Sequence, residues 1–198
     1  MGLMKHVEFE GTWKEIWTQK GAVAGTKEDA LEMGGWNHTK TSAEDIAKKI
    51  VEFLKIESDD KVLEIGCGTG GLAQYITCDY VGIDYSKTSV QKCMEFFSKT
   101  ALYAEANDLP FKDKYFDKCF AYGCFMYFQD QNYVRQVVEE MRRVTKSIIF
   151  IGELPKKSHE PKHLLFKEAD FERMGLKTIR GWAEPYCDIR FSAYESLD

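Results

Sequence analysis

The sequence predicts an α/β fold in which helices cover both faces of a seven-stranded, mostly parallel sheet. Short apolar runs rich in β-branched residues alternate with longer stretches of helical spacing, an order typical of such sheets. The first run, 62–65, breaks into four glycines within six positions, which indicates a strand and a tight turn. With 198 residues, 44% of them hydrophobic, the chain can bury one sizeable core. We therefore expect one domain over 1–198, made of an N-terminal helical cap at 1–40 and an α/β core at 41–198.

The first forty residues have no strong periodicity but contain three tryptophans. Trp13 and Trp17 have the spacing of one helix face, which predicts a helix here. The glycine-containing stretches 21–25 and 34–36 are predicted to be flexible joints. We expect Trp13 to pack in the core. Trp17 and Trp36 either do the same or line a ligand pocket.

A helix start follows the cap. Thr41 with Glu44 fits a capping box, and Ser42 with Asp45 fits a less usual one. Beyond the glycines, the apolar residues at 72–76 have helical spacing, which predicts a helix whose N-terminus faces the turn. The remaining patterns predict strands at 80–84, 101–105, 117–122, 147–151, 176–181 and 189–193, helices from 86 to about 99, at 133–143 and at 168–174, and a loop at 154–163.

The glycine turn is expected to bind a ligand, because glycines allow positive φ and let a ligand approach the backbone. Gly66, Gly68 and Gly71 match the G-x-G-x-x-G fingerprint of dinucleotide sites, so NAD or FAD is one candidate. Glu64, two residues earlier, favours another ligand, since its carboxylate would repel a pyrophosphate and attract a cation. S-adenosylmethionine (SAM) carries an ammonium and a sulfonium but no phosphate. The residues therefore favour SAM, with a solvated glutamate beside an ordinary turn as the remaining alternative.

A second acidic residue stands near the distance expected for a ribose ligand. Asp84 follows Gly66 by 18 residues, at the end of the second predicted strand. Its carboxylate could accept hydrogen bonds from ribose hydroxyls. Alternatively Asp84 caps the next helix, as Ser86 could also do.

Four segments, taken in order, resemble the class I, Rossmann-like family of SAM-dependent methyltransferases. The resemblance covers roughly 61–152 and implies a three-layer Rossmann-like sandwich with the sheet order 3-2-1-4-5-7-6 and the last strand antiparallel. The segments are 62–70, similar to the first motif; 81–86, to the second strand and its acidic end; 105–111, to the adenine-side loop; and 116–122, to the fourth strand.

The same resemblance implies a set of cofactor-binding residues. SAM would be bound and S-adenosylhomocysteine (SAH) released. Glu105 would hold the adenine amino group and the Ala106 backbone would face the ring edge. The expected cofactor-binding residues are Glu64, Gly66, Cys67, Gly68, Gly70, Asp84, Tyr85, Glu105, Ala106, Tyr122 and Trp17.

The expected activity is in-line methyl transfer to a small-molecule acceptor. The fourth strand is followed by 122–125, which lacks the Asn-Pro-Pro-Tyr motif used on the amines of bases, and Cys124 lacks the preceding proline of cytosine-carbon methylation. A general base is needed only for a poorly ionised hydroxyl acceptor. The candidates are Tyr127, Glu153, His38, His159 and His163, and no catalytic residue is assigned. Two alternatives stay open: a SAM-binding partner subunit without activity, and an NAD(P)-dependent oxidoreductase.

Composition narrows the class further. The net charge of −5 and the absence of a basic stripe disfavour a nucleic-acid partner. No apolar run reaches membrane-spanning length and the first residues do not form a signal peptide, so we expect a cytoplasmic protein with no membrane partner. Six scattered cysteines without a C-x-x-C pair indicate free thiols and no metal site. The oligomeric state is left open.

Overall fold

The computed structural model describes residues 9–34, 39–158 and 160–197. Its strands are β1 (Lys61–Ile65), β2 (Asp79–Asp84), β3 (Thr100–Tyr103), β4 (Phe116–Tyr122), β5 (Thr145–Pro155), β6 (Lys177–Arg180) and β7 (Arg190–Ser196). They form one seven-stranded sheet in the order β3-β2-β1-β4-β5-β7-β6. This result confirms the predicted sheet order and the Rossmann-like fold.

The centre of the sheet sets the position of the ligand site. β1 runs parallel to β2 on one side and to β4 on the other. β7 lies antiparallel between β5 and β6, as predicted for the last strand. Because β1, β2 and β4 are parallel neighbours, their carboxyl ends meet at one edge, where open α/β sheets bind their ligands.

Helices cover the sheet on both faces and complete the three layers. On one face, Ile50 packs in a cluster with Val62 and Phe120. On the other face, Val137 packs in a cluster with Leu63. The neighbours Val62 and Leu63 pack on opposite faces of the sheet because successive side chains of a strand point to opposite faces. The helices are α1 (Trp13–Val23), α2 (Lys27–Met33), α3 (Ala43–Leu54), α4 (Lys87–Phe97), α5 (Gln131–Val144) and α6 (Glu168–Arg173).

The chain that follows the glycine turn is not an α-helix, so this prediction was wrong. Only one 3₁₀ turn forms, at Ala73–Tyr75. β2 begins at Asp79. The stretch 72–78 holds fewer than two α-helical turns at about 3.6 residues each, too little for a helix and a connection to the next strand. The described stretch 66–78 therefore lacks the helix N-terminus that was expected at the glycine turn.

The flexible joint predicted at 21–25 is wrong in its first half. α1 continues to Val23, and Gly21 is buried inside it. A Cβ built at Gly21 would lie 2.7 Å from the backbone nitrogen of Ser89 in α4. The glycine thus permits a close helix–helix contact rather than a joint. The range 35–38, with Trp36 and His38, lies outside the described residues.

The start of α3 distinguishes between the two capping boxes. Ser42 is the cap residue, and its Oγ accepts a hydrogen bond from the Asp45 backbone N–H at 3.1 Å. Thr41 instead accepts a hydrogen bond from the backbone N–H of Glu184 at 3.0 Å. The cap predicted at Ser42 is confirmed, whereas the box of Thr41 with Glu44 is wrong because Thr41 serves a tertiary contact.

Three observations bear on the class of protein. Within the ranges given above, no helix has both the length and the apolar character needed to cross a bilayer. Nor do those ranges contain a group of three or more His, Cys, Asp or Glu side chains arranged to hold a metal ion. All six cysteines are free thiols.

Candidate functional site

A cavity of about 620 Å³ opens at the carboxyl edge of β1, β2 and β4. Its walls come from the glycine turn, the ends of these strands, the end of β5 and the helix α1. The predicted cofactor-binding residues that line it are Trp17, Glu64, Gly66, Cys67, Gly68, Asp84, Tyr85, Ala106 and Tyr122. The structure thus brings together residues that the sequence spreads over more than a hundred positions.

The glycine turn has the shape of a cradle. Gly66 has a φ of +73° and Gly68 a φ of +52°, conformations that other residues rarely adopt. A Cβ at Gly66 would lie 2.7 Å from the Cβ of Cys124, while nothing lies within 4 Å of one at Gly68. Gly68 therefore leaves the backbone open to a ligand. Gly70 was predicted to bind the cofactor, but it does not line the cavity. It faces α4 instead, and a Cβ added at Gly70 would lie 2.7 Å from the Phe97 ring.

Two buried carboxyl groups line the cavity beside this turn. Glu64 accepts a hydrogen bond from the Tyr80 hydroxyl at 2.5 Å, and burial raises the pKa of Glu64 to about 8. Asp84 accepts hydrogen bonds from the backbone N–H groups of Gly68 at 2.9 Å and Ser86 at 2.8 Å. Burial raises the pKa of Asp84 to about 6 despite those two donors. The carboxyl groups make this part of the cavity suited to a ligand with a cation and hydrogen-bond donors.

The same contacts test whether a pyrophosphate fits. Dinucleotide sites bind phosphate with free backbone N–H groups at a helix N-terminus. Here the N–H of Gly68 is already engaged by Asp84, and only a 3₁₀ turn follows the glycines. Asp84, whose pKa of about 6 leaves it mostly ionised at neutral pH, adds like-charge repulsion. The turn therefore suits SAM, which brings no phosphate, and not NAD or FAD.

Glu105, predicted to hold the adenine amino group, does not line the cavity. Its carboxylate pairs with the Lys14 ammonium of α1 at 2.5 Å and accepts a hydrogen bond from the Tyr133 hydroxyl at 3.2 Å. It lines a neighbouring depression that shares Trp13 and Tyr85 with the cavity. The difference arises because α1 docks over this edge of the sheet, a contact that no short-range pattern indicates.

Hydrogen bonds to main-chain oxygens fasten the N-terminal helices to the site. The Tyr85 hydroxyl donates to the carbonyl of Trp13 at 3.3 Å. The Thr88 hydroxyl donates to the carbonyl of Thr18 at 2.7 Å. From the glycine turn, the Thr69 hydroxyl donates to a carbonyl of α2 at 2.6 Å. Hydrogen bonds therefore hold α1 and α2 against the site.

The two described tryptophans of the cap both line the cavity. Trp13 was expected in the core, but its ring lies 4.8 Å from that of Tyr127 and 5.2 Å from that of His163, centre to centre. Trp17 packs against Tyr127 at 5.0 Å. The indole Nε1 of Trp17 is buried and has no hydrogen-bond partner among the described residues. Leaving such a donor unpaired costs about 1–3 kcal/mol, so this N–H is suited to a ligand acceptor atom.

Glu153, a candidate base, is held in a buried network. β5 runs to Pro155, beyond its predicted end at 151, and Glu153 lies at the break in register between β5 and β7 with a φ of +63°. Its carboxylate accepts hydrogen bonds from the Tyr122 hydroxyl at 3.1 Å and from the Arg190 guanidinium at 3.0 Å. Its carboxylate is thereby committed to structure rather than to proton transfer.

The other candidate bases differ in position and proton affinity. Burial raises the pKa of Tyr127 to about 12, which makes its phenolate scarce at neutral pH. His163 lines the cavity, with Nδ1 2.6 Å from the hydroxyl oxygen of Ser158. His38 and His159 lie outside the described residues. Sequence patterns missed Lys20 and Arg190, two basic residues of the cavity wall that tertiary packing places there.

Comparison with known proteins agrees with this geometry. A family model described as "Methyltransferase domain" matches residues 63–148. The chain is 27% identical over 100 residues to the tRNA (carboxymethyluridine(34)-5-O)-methyltransferase of Arabidopsis thaliana, covering 50% of this chain and 24% of that protein. It is 34% identical over 94 residues to the cyclopropane-fatty-acyl-phospholipid synthase of Escherichia coli K12, covering 43% of this chain and 24% of that protein. The chain thus spans about a quarter of the length of these relatives.

Solved structures share the fold over nearly the whole chain. The crystal structure of magnesium protoporphyrin IX methyltransferase from Synechocystis PCC 6803 with bound SAM superposes with a TM-score of 0.65 and 12% identity, covering 97% of this chain and 100% of that one. At this identity the likeness concerns the fold. Residues 63–148 of this chain are therefore similar to a methyltransferase domain. The sheet order is that of the Rossmann-like methyltransferase fold.

Proposed function

We propose that this chain transfers the methyl group of SAM to a small-molecule acceptor. The observation that carries the proposal is the pair of buried acids, Glu64 and Asp84, on a cavity whose turn N–H at Gly68 is already engaged. A cationic nucleoside favours the ionised form of both acids. A pyrophosphate is repelled by the Asp84 carboxylate, and in the described stretch 66–78 it finds no α-helix N-terminus.

In this proposal the predicted residues hold the parts of SAM. Glu64 accepts the α-ammonium group, Asp84 accepts hydrogen bonds from the ribose hydroxyls, and the backbone of Ala106 lies beside the adenine ring. Trp17 closes the cavity from the side of α1. When bound, SAM supplies an electrophilic methyl group on its sulfonium, and the chain's own task is to orient the acceptor and to exclude water.

The acceptor side of the cavity supports a small, largely apolar molecule. Trp13, Tyr127 and Phe128 form an aromatic wall there, and His163 adds a polar group. An acceptor that already carries a lone pair needs no base. For a hydroxyl acceptor, His163 is the candidate base that best fits the geometry, since Glu153 is held by Arg190 and the pKa of Tyr127 is too high.

Ligand-dependent thermal unfolding tests the proposal. SAM and SAH should each raise the melting temperature, and NAD and NADP should not. A ligand at a hundredfold excess over its Kd stabilises the folded state by about 2.7 kcal/mol. A shift with NAD alone would refute the methyltransferase proposal. Tight SAM binding without turnover on a broad acceptor panel, together with a stable protein partner, would favour a non-catalytic subunit.

The proposal extends to the location of the protein and to the class of its acceptor. Six free cysteines support a reducing compartment, which we propose to be the cytoplasm. The net charge of −5 supports a small molecule over a nucleic acid as acceptor. Retention on a heparin column at physiological salt would count against a small-molecule acceptor and in favour of a nucleic acid.

A further inference from the structure

One lysine on the cavity wall has no anionic partner in the part of the chain that the structure describes. Lys20 lies one helical turn after Trp17 on α1, lines the cavity, and places its Nζ 4.3 Å from the centre of the Trp17 ring. No ion pair joins it to a carboxylate within 9–34, 39–158 or 160–197. Burial of the side chain lowers the pKa of Lys20.

The other basic side chains of the cavity do not share this condition. Arg190 is paired with Glu153 at 3.0 Å. Lys162 is exposed to solvent, which hydrates its ammonium group. Taking a charge out of water without a partner is unfavourable, and a bound anion removes that cost. Lys20 is thus a partly desolvated cation, and an anion on the ligand would offset the cost of its desolvation.

A second, independent group points to the same ligand chemistry. The buried Nε1–H of Trp17 has no acceptor among the described residues, and its ring lies directly under the Lys20 ammonium. The position of Lys20 in the last turn of α1 is favourable for the helix dipole, but that effect needs no burial against a tryptophan. The ammonium lies over the face of the ring and the N–H on its edge, and these two donors suit the two oxygens of a carboxylate.

We propose that Lys20 and the Trp17 indole N–H form a carboxylate-binding subsite in this cavity. The inference rests on the proposed function. The carboxylate has two possible sources: the methionine end of SAM, whose ammonium would face Glu64, or the acceptor. In the first case Glu64 and Lys20 would together recognise a zwitterion, with one charge from each end of the amino acid.

A ligand–protein double-mutant cycle tests the first source. SAM and decarboxylated SAM, which keeps the ammonium and the sulfonium, are titrated calorimetrically into the parent and into Lys20→Met. Loss of one charge-assisted hydrogen bond should weaken SAM binding roughly tenfold to a hundredfold, while decarboxylated SAM binds nearly as before. Lys162→Met, which removes an exposed lysine from the same cavity, should keep the parent's preference. Lys20→Arg keeps the positive charge, so it should retain much of the parent's preference for SAM over decarboxylated SAM. This variant can also be measured if Lys20→Met folds poorly.

The second source is tested on protein saturated with SAH. Binding of 4-hydroxybenzoate is compared with that of 4-hydroxybenzamide, which has nearly the same shape and no charge. A preference for the carboxylate that Lys20→Met abolishes, with the SAM preference unchanged, places the acceptor's carboxylate at Lys20. If Lys20→Met alters neither preference, the subsite does not exist. A parent that binds neither SAM nor SAH refutes the proposed function, and this inference with it.

Discussion

The carboxylate of Asp84 accepts a hydrogen bond from the backbone N–H of Gly68 at 2.9 Å and so ties the end of β2 to the glycine turn after β1. Its second oxygen accepts from the N–H of Ser86, the residue that caps α4. One side chain therefore shapes the turn and the start of a helix while facing the cavity. A role in the fold and a role in ligand binding coexist at this position.

Replacing Asp84 should affect both roles. Asp84→Ala leaves two backbone N–H groups without their partner, so we expect a loss of about 1–3 kcal/mol in unfolding free energy. Loss of the ribose hydrogen bonds should also weaken SAM binding by about 2–4 kcal/mol, or some thirtyfold to a thousandfold. Asp84→Asn keeps one acceptor oxygen and should lose less of both. Chemical denaturation and calorimetry measure the two effects. Parent-like SAM binding by Asp84→Ala would show that Asp84 is only structural.

Glu64 should make the ligand-free protein less stable as the pH rises. Its pKa is about 8 when folded, against an ordinary value of 4.5. Between these values the folded state holds more protons than the unfolded state, so the unfolding free energy falls with rising pH. Asp84, with a pKa of about 6, acts in the same direction over the lower part of that window.

Melting temperatures from about pH 5 to about pH 8 give the measurement. The parent should lose stability across the window, and Glu64→Gln should flatten the slope, most of all above pH 6, because the amide keeps an acceptor for Tyr80 without a charge. A slope in Glu64→Gln equal to that of the parent would assign the pH dependence to other groups.

SAM affinity should show the opposite pH dependence. If the ammonium of SAM faces Glu64, it favours the ionised carboxylate, so binding releases a proton at pH values below the raised pKa. The association constant should then rise by up to about tenfold per pH unit as pH 8 is approached. Titrations in two buffers of different ionisation enthalpy reveal the proton. Identical binding heats in both buffers would show that no proton is released, and therefore that the ammonium of SAM does not face Glu64.

What could be predicted from the sequence is what short-range patterns encode. The strand over 62–65, its glycines and Asp84 lie within one β–turn–β unit, so spacing alone locates them. Lys20 and Arg190 escaped prediction because packing of α1 and the antiparallel pairing of β7 bring them to the cavity. The position of Glu105 outside the cavity lining could not be predicted for the same reason, since its partner Lys14 stands 91 positions earlier in the chain.

Gly21→Ala should destabilise the protein, although alanine is normally the better residue within a helix. A Cβ at Gly21 would lie 2.7 Å from the backbone nitrogen of Ser89 and from the Thr88 hydroxyl oxygen. The overlap should cost about 1–3 kcal/mol of unfolding free energy, more than the gain in helix propensity of about 1 kcal/mol. It should also weaken SAM binding, because α1 carries Trp17.

A matched control for this change lies four residues further on. A Cβ at Gly25 would meet nothing closer than a carboxylate oxygen of Asp29 at 3.5 Å, an ordinary contact. Gly25→Ala should therefore leave the melting temperature and the SAM affinity near those of the parent. Equal effects of the two substitutions would show that the contact between α1 and α4 is not tight at Gly21.

The buried pair of Arg190 and Glu153 should respond differently to single and double substitution. Arg190→Met leaves the Glu153 carboxylate, which is 2% exposed, without its cation, and we expect a loss of about 3–5 kcal/mol. Adding Glu153→Gln should recover much of this loss, because a glutamine oxygen can still accept from the Tyr122 hydroxyl and from the backbone N–H groups of Trp182 and Ala183. Denaturant midpoints of both variants decide the matter. If the double variant is no more stable than Arg190→Met, the cost lies in lost packing of the arginine stem rather than in an unpaired charge.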